Sequence, residues 1–178
     1  MALPKTHKSF DKSGNGQFVF LLLPNYSLLG VSSAVEVLRA ANRLSRSEIY
    51  SWQLVSANGG LYPSSGGLAL PTETFDEVVH DITHLVICGG DGSEHLSATE
   101  TLTFVRKQSR KARLSGAISD GSYVAARAGI FNGYRSTIHW PSLLHLSPRP
   151  PRAKIVYCGA PTPSQKKRQR TNQPTAAD

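Results

Sequence analysis

The sequence predicts an α/β domain built on a mostly parallel sheet. Three observations predict it. An unbroken apolar run at Phe18 to Leu23 is followed by shorter runs at His84 to Cys88 and Leu114 to Ser119, the pattern of buried strands. The first run is followed by a segment whose apolar residues recur at helical spacing. Each of the other two stops abruptly at glycine-bearing residues, Gly89-Gly90-Asp91 and Ser119-Asp120-Gly121.

Taken in order, the first strand closes at Pro24, and Leu28 to Leu44 follows as an amphipathic helix. Its Val31, Ala34, Val35, Leu38 and Ala41 share one face, while Glu36, Arg39 and Arg43 fall elsewhere. Tyr50 to Ala57 reads as a second strand. Residues 61 to 72, with Ser64-Ser65-Gly66-Gly67 at their centre, read as a hairpin or extended excursion. Ser97 and Glu100 stand in capping-box spacing, so a helix is expected from about Ala98 to Ala112. Tyr123 to Ala128 reads as a short helix ended by Gly129, and Asn132-Gly133 as a turn before a strand over Tyr134 to His139. No internal repeat is present.

Charge divides the chain unequally. Of the formal net charge of +8, residues 142–178 carry +6, from seven Lys/Arg against Asp178, in a segment that also holds six prolines. The expected organisation is therefore a polar N-terminus at 1–16, one domain at 17–141, and a basic Pro-rich tail at 142–178. Within the tail, Lys166-Lys167-Arg168-Gln169-Arg170 lacks a helix-turn-helix pattern, which argues against specific DNA reading by this segment. Two cysteines, Cys88 and Cys158, make no disulfide framework. There is no apolar stretch of membrane-spanning length and no signal-peptide pattern, so a cytoplasmic protein without a membrane partner is expected.

Ligands of open α/β sheets bind beyond the carboxyl ends of the strands. Pro24-Asn25-Tyr26, Gly89-Gly90-Asp91, Ser119-Asp120-Gly121 and His139 are expected to converge there. The Gly89 and Gly90 amides either face an anion or simply make a tight turn. Ser119 occupies the place of a nucleophile elbow, although Gly-x-x-Ser-x-Gly is not the hydrolase motif. It serves as a structural or ligand-bonding hydroxyl, or as a nucleophile with His139 as base. Asp120 is a ligand contact or an acid placed favourably at a helix N-terminus. His139 beside Trp140 is a site residue or half of a packed pair. Cys88 ends an apolar strand, where an inert buried thiol is the default. Neither metal-ligand spacing nor a phosphate loop is present, and no cofactor is expected.

The runs FVFLLLPNYSLLGVSSAVEVLRAANRLS, LVICGGDGSE and GAISDGSYVAARAGIFNGYRSTIHW resemble the N-terminal amidase-like domain of AraC-family transcriptional regulators, in particular the kind that governs glycine-betaine and carnitine catabolism. That domain is similar to PfpI-type, class I glutamine amidotransferase-like proteins, which implies a flavodoxin-like three-layer sandwich with its C-terminal part incomplete here. In the enzymes of that superfamily the elbow carries a reactive cysteine, and the matching residue here is Ser119. The acid that supports such a cysteine near the start of the first helix is also missing, since Leu29, Gly30 and Val31 lie there, while His139 matches the superfamily histidine.

The resemblance therefore implies a non-catalytic ligand-sensing and dimerisation domain, not an enzyme, with Tyr26, Gly89, Gly90, Ser119, Asp120 and His139 lining a pocket for a small polar metabolite such as a quaternary-ammonium compound. A homodimer is implied. The regulators' helix-turn-helix half is not found in these residues, and a truncated or frame-shifted product is the expectation. The alternative is a PfpI-like hydrolase or lyase using Ser119 and His139, and a third reading is a residual fragment without function.

Overall fold

The computed structural model describes residues 16–78, 82–136 and 154–155. A four-stranded, all-parallel sheet in the order β2-β1-β5-β6 forms its centre, from β1 (Gly16–Leu22), β2 (Tyr50–Val55), β5 (His84–Cys88) and β6 (Leu114–Ile118). β1 lies at the middle because its side chains are apolar on both faces. Val19, Leu21 and Leu23 point to one core, and Phe20 and Leu22 to the other.

Helix α1 (Leu28–Ser45) covers one face, where Val31 and Leu38 pack against Phe20, Leu22, Tyr26 and Cys88. Helices α2 (Thr99–Ser109) and α3 (Gly121–Arg127) cover the other, where Leu102, Phe104, Val105, Val124 and Ala125 meet Val19, Leu21, Leu85 and Ile87. The result is the expected three-layer α/β sandwich. A hairpin of β3 (Gly60–Pro63) and β4 (Ala69–Thr72) sits on the α1 side, with Tyr62 and Leu70 against that core. A short 3-10 turn (Phe75–Glu77) leads on to β5, and β7 (Arg135–Ser136) pairs in parallel with β8 (Lys154–Ile155).

Most element positions agree with the sequence reading, and β5 does so residue for residue. The capping box is a correction. α2 is capped by Ala98 without a side-chain bond, so Ser97 does not cap it. A capping box forms instead between Thr74 and Glu77 at the 3-10 turn. The last part of the expected strand Tyr134 to His139 lies outside the described residues, as does the tail apart from β8, which falls within 142–178.

The connections place the site. From β1 the chain crosses through α1 to β2 on one side, and β5, on β1's other side, connects through α2 across the opposite face. The carboxyl ends of β1 and β5 therefore flank the point where the connections diverge, the place where open α/β sheets form their ligand crevice.

Candidate functional site at the strand ends

Three loops meet beyond the strand ends, and they meet through backbone. Leu23 N–H donates to the Cys88 carbonyl (2.9 Å), Ser27 N–H to Gly89 (3.2 Å), and Gly89 N–H to Ile118 (3.1 Å). Tyr26 and Gly90 form an isolated antiparallel bridge, and Asn25 Nδ2 donates to the Asp91 carbonyl (3.2 Å). The expected convergence of residues 24–26, 89–91 and 119–121 is thus present, while His139 lies outside the described residues.

Glycine is required at these crossings for clearance. A Cβ at Gly90 would overlap the Asn25 carbonyl oxygen, one at Gly89 the Gly121 nitrogen, and one at Gly121 the Ile87 carbonyl oxygen. All three glycines are buried. The amides proposed for an anion are already engaged: Gly89 N–H bonds Ile118, and Gly90 N–H bonds Ser93 Oγ (3.1 Å). The lack of a side chain at Gly89 and Gly90 lets neighbouring chain segments approach.

Tyr26 lies in the same cluster of loops. It is fully buried, and its hydroxyl donates to the Tyr62 carbonyl (3.2 Å), pinning the hairpin to the sheet. Burial raises its phenol pKa above the ordinary value, partly offset by a backbone bond. It is part of the buried cluster on the α1 side. Asp120 is buried at the start of α3 and makes no side-chain cap bond there. Cys88 is fully buried under α1, and burial pushes its thiol pKa far up, so it holds the neutral, unreactive form.

Ser119 is the exposed member of the elbow. It turns the chain from β6 into α3 with φ at +52°, a left-handed conformation that side chains other than glycine and asparagine seldom adopt. Its carbonyl accepts from Ser122 Oγ (3.1 Å). Beside it lies a feature that the sequence reading did not draw out. A Cβ at Gly30, in the first turn of α1, would come within 2.5 Å of Ile118 Cγ2, the side chain preceding Ser119. The helix start is thus seated directly on the residue before the elbow, and a longer side chain at Gly30 would need the Ile118 side chain to shift. The solvent-facing rim comprises Asn25, itself at φ +56°, Asp91 and Ser119. Asn25 and Asp91 were legible as loop residues, but their shared rim depends on two loops 66 residues apart.

The loop after β5 is held from below. Arg127 at the end of α3 donates through Nη1 to the Leu96 carbonyl and through Nη2 to the Glu94 carbonyl (2.6 Å). Arg106 of α2 bonds the Ala128 carbonyl (3.2 Å). Among the described residues, no cluster of three or more His, Cys, Asp or Glu side chains is arranged to hold a metal ion, and no helix is long and apolar enough to cross a membrane.

Comparison with known proteins decides the family. The DJ-1/PfpI family model matches residues 18–151. The chain belongs to the DJ-1/PfpI family. Within the curated proteins it is 37% identical over 136 residues to the HTH-type transcriptional regulator GbdR of Pseudomonas aeruginosa, covering 76% of this chain and 37% of that protein. It is 35% identical over 165 residues to the HTH-type transcriptional regulator GlxA of Rhizobium meliloti, covering 85% and 50%. The DJ-1/PfpI chain thus spans about a third to a half of these relatives' length. An isonitrile hydratase of Pseudomonas putida is 34% identical over 127 residues, covering 70% and 52%. Among solved structures, an AraC family transcriptional regulator from Pseudomonas putida superposes with a TM-score of 0.67 at 26% identity, covering 79% of this chain and 76% of that one.

Proposed function

We propose that this DJ-1/PfpI domain is a non-catalytic, ligand-sensing domain of a transcriptional regulator of the AraC type. The observation that carries the proposal is the pairing of Ser119 with Gly30. The elbow keeps its left-handed turn, but it presents a hydroxyl where the superfamily's enzymes present a thiol. A thiol ionises near pH 8.5 unaided, whereas a serine hydroxyl needs a base placed against it. The resemblance puts a supporting acid near the start of the first helix, where this chain has Leu29, Gly30 and Val31, with Gly30 packed on Ile118. Similarity to named transcriptional regulators supports the same reading.

The ligand is a small polar metabolite of the quaternary-ammonium amino acid class. Asp91 at the rim supplies a carboxylate for a fixed positive charge, and the Ser119 hydroxyl donates to a carboxylate or carbonyl oxygen. Asp120 and His139 complete the wall in this proposal. The domain works in a cytoplasmic regulator.

The test is a thermal-shift titration of the full chain with glycine betaine and related quaternary-ammonium acids. Saturation at about 100 times Kd stabilises by about 2.7 kcal/mol. Ser119→Ala and Asp91→Asn are expected to weaken the shift without lowering the unliganded Tm. A hydrolase or lyase using Ser119 and His139 is the second reading, favoured by similarity to the isonitrile hydratase. Labelling by a fluorophosphonate probe that disappears in Ser119→Ala would replace the sensor reading with that one.

A further inference from the structure

The charges of the domain are sorted towards its two ends. Helix α2 starts beyond the carboxyl end of β5 and runs back to the start of β6, so its last turn lies at the amino ends of the strands, opposite the crevice. Asp91, Glu94, Glu100 and Asp120 stand at the carboxyl end. The segment Arg106-Lys107-Gln108-Ser109-Arg110-Lys111-Ala112-Arg113 carries five cations in eight residues and no acid, and all five are exposed. Buried Leu102, Val105 and Gln108 mark the inner face of the helix, which leaves Lys107, Arg110 and Lys111, three and four apart, on one outward strip. Arg43 and Arg46 close α1 at the same end of the sheet, against Glu48.

The helix terminus alone does not account for this strip. A helix C-terminus favours a cation in its last turn, which Arg106 and Lys107 already supply, whereas like charges three and four residues apart repel. Arg106 is taken up by the end of α3, where it donates to the Ala128 carbonyl (3.2 Å). Among the described residues, Lys107, Arg110, Lys111 and Arg113 have no ion pair, and Glu36 and Glu94 are paired elsewhere, with Arg39 and His95.

We infer that the basic strip at the end of α2 binds the phosphate backbone of duplex DNA without reading its sequence. This goes beyond the sensing proposal and is independent of it. Charge complementarity selects the partner. Duplex DNA carries about one negative charge per 1.7 Å of its axis, a density suited to cations that follow one another within single turns of a helix. A protein partner fits less well, because the cores of protein interfaces are aromatic and apolar and poor in lysine. Beside the strip the exposed large apolar side chain is Leu114. Lysine and arginine on the flank of a helix packed against the sheet position a duplex but read no bases. A duplex bound there leaves the crevice at the opposite end of the sheet unobstructed.

The experiment is fluorescence anisotropy of a labelled 20-base-pair duplex of arbitrary sequence, titrated with the full chain across a salt series. Contact with three to four phosphates predicts that raising salt from 50 to 200 mM weakens binding about 40-fold or more. The triple variant Lys107→Gln, Arg110→Gln, Lys111→Gln is expected to lose about tenfold or more in affinity at 50 mM and to flatten the log–log salt slope by about 3. Each single variant is expected to flatten it by about 1, which keeps the test readable if the triple variant melts early. A shuffled duplex is expected to bind as the first does. The control is Lys166→Gln, Lys167→Gln, Arg168→Gln, Arg170→Gln in the tail, which removes more charge and is expected to cost less. A loss there as large as in the α2 triple variant overturns the inference, since it would mark attraction to net charge alone. So does a parent that fails to bind at 50 mM, or a triple variant that binds as tightly as the parent. Displacement of the duplex by polyglutamate at equal charge concentration would also overturn it, in favour of an acidic protein segment. Because no metabolite is used, failure here leaves the thermal-shift test of sensing intact.

Discussion

The two ends of the sheet are built from different materials. At the amino ends of the strands, side chains join alongside backbone bonds such as Gly16 N–H to Ile49 and Thr83 N–H to Gln17 (both 2.9 Å). The Thr83 hydroxyl accepts from Gln17 N–H (2.7 Å) and lies 2.7 Å from His84 Nδ1, and the His84 ring stacks on Phe18 at 4.1 Å. The Asn42 side chain bonds both the N–H and the carbonyl of Tyr50 (2.8 and 2.6 Å). At the carboxyl ends, backbone crosses backbone over glycines, and the exposed rim is left to Asn25, Asp91 and Ser119. The difference separates holding from presenting. The amino end adds side-chain bonds and ring stacking to its backbone bonds, whereas at the carboxyl end glycines let main chain cross closely and Asn25, Asp91 and Ser119 stay exposed.

Adding one methyl group to the carboxyl end should break this contrast with the largest effect. Gly90→Ala drives a Cβ into the Asn25 carbonyl, which neither chain segment can relieve by a rotamer change. A loss on the order of 3 kcal/mol or more is expected, read as the shift in denaturant midpoint with m unchanged. A Gly90→Ala protein as stable as the parent would show that the crossing is looser than its geometry requires.

The second change runs the other way. Ser119 pays conformational energy to hold its left-handed φ, so Ser119→Gly should raise stability by roughly 0.5–1 kcal/mol. Measured by the same unfolding curves, a stabilised variant that no longer responds to ligand would mark the strain as retained for the sake of the side chain.

The smallest effect belongs to the amino end and to pH. Burial first, and the nearby Arg113 charge second, hold the His84 imidazole below its ordinary pKa. The unfolded chain thus binds the proton more readily, and stability falls as pH drops through about 6.5. The parent Tm should decline between about pH 7 and 5.5, and His84→Phe, which keeps a ring over Phe18, should remove part of that slope. Identical profiles for the two proteins would exclude this origin.

The sequence disclosed the fold more fully than the site, for physical reasons. Buried parallel strands have continuous apolar runs, so β1 and β5 could be read without knowing their neighbours, whereas β6, expected to be buried, is the outermost strand of the described sheet and only partly buried. The period of α1 likewise shows in Val31, Ala34, Val35 and Leu38. The partners of Gly89 and Gly90, by contrast, are set by loops far away in the chain. A glycine pair after a strand reads equally as an anion cradle or as a crossing, and only the proximity of Asn25, Ile118 and Gly121 decides between them. Tyr26 shows a related dependence: topology places an aromatic residue in a strand-end loop, while its direction depends on the hairpin carbonyl it bonds. At α2, spacing alone favoured Ser97 over Ala98 as cap, but the preceding turns are held by Ser93 and Arg127, which fixes where the helix starts.

The contact between Gly30 and Ile118 makes evolutionary change at this elbow unequal in its two directions. Exchanging oxygen for sulfur at Ser119 takes a single substitution and no backbone movement, because the turn already exists. Placing an acid at Gly30 asks more, because the Ile118 side chain would have to move to admit it. A chain that gained the thiol alone would still lack that partner.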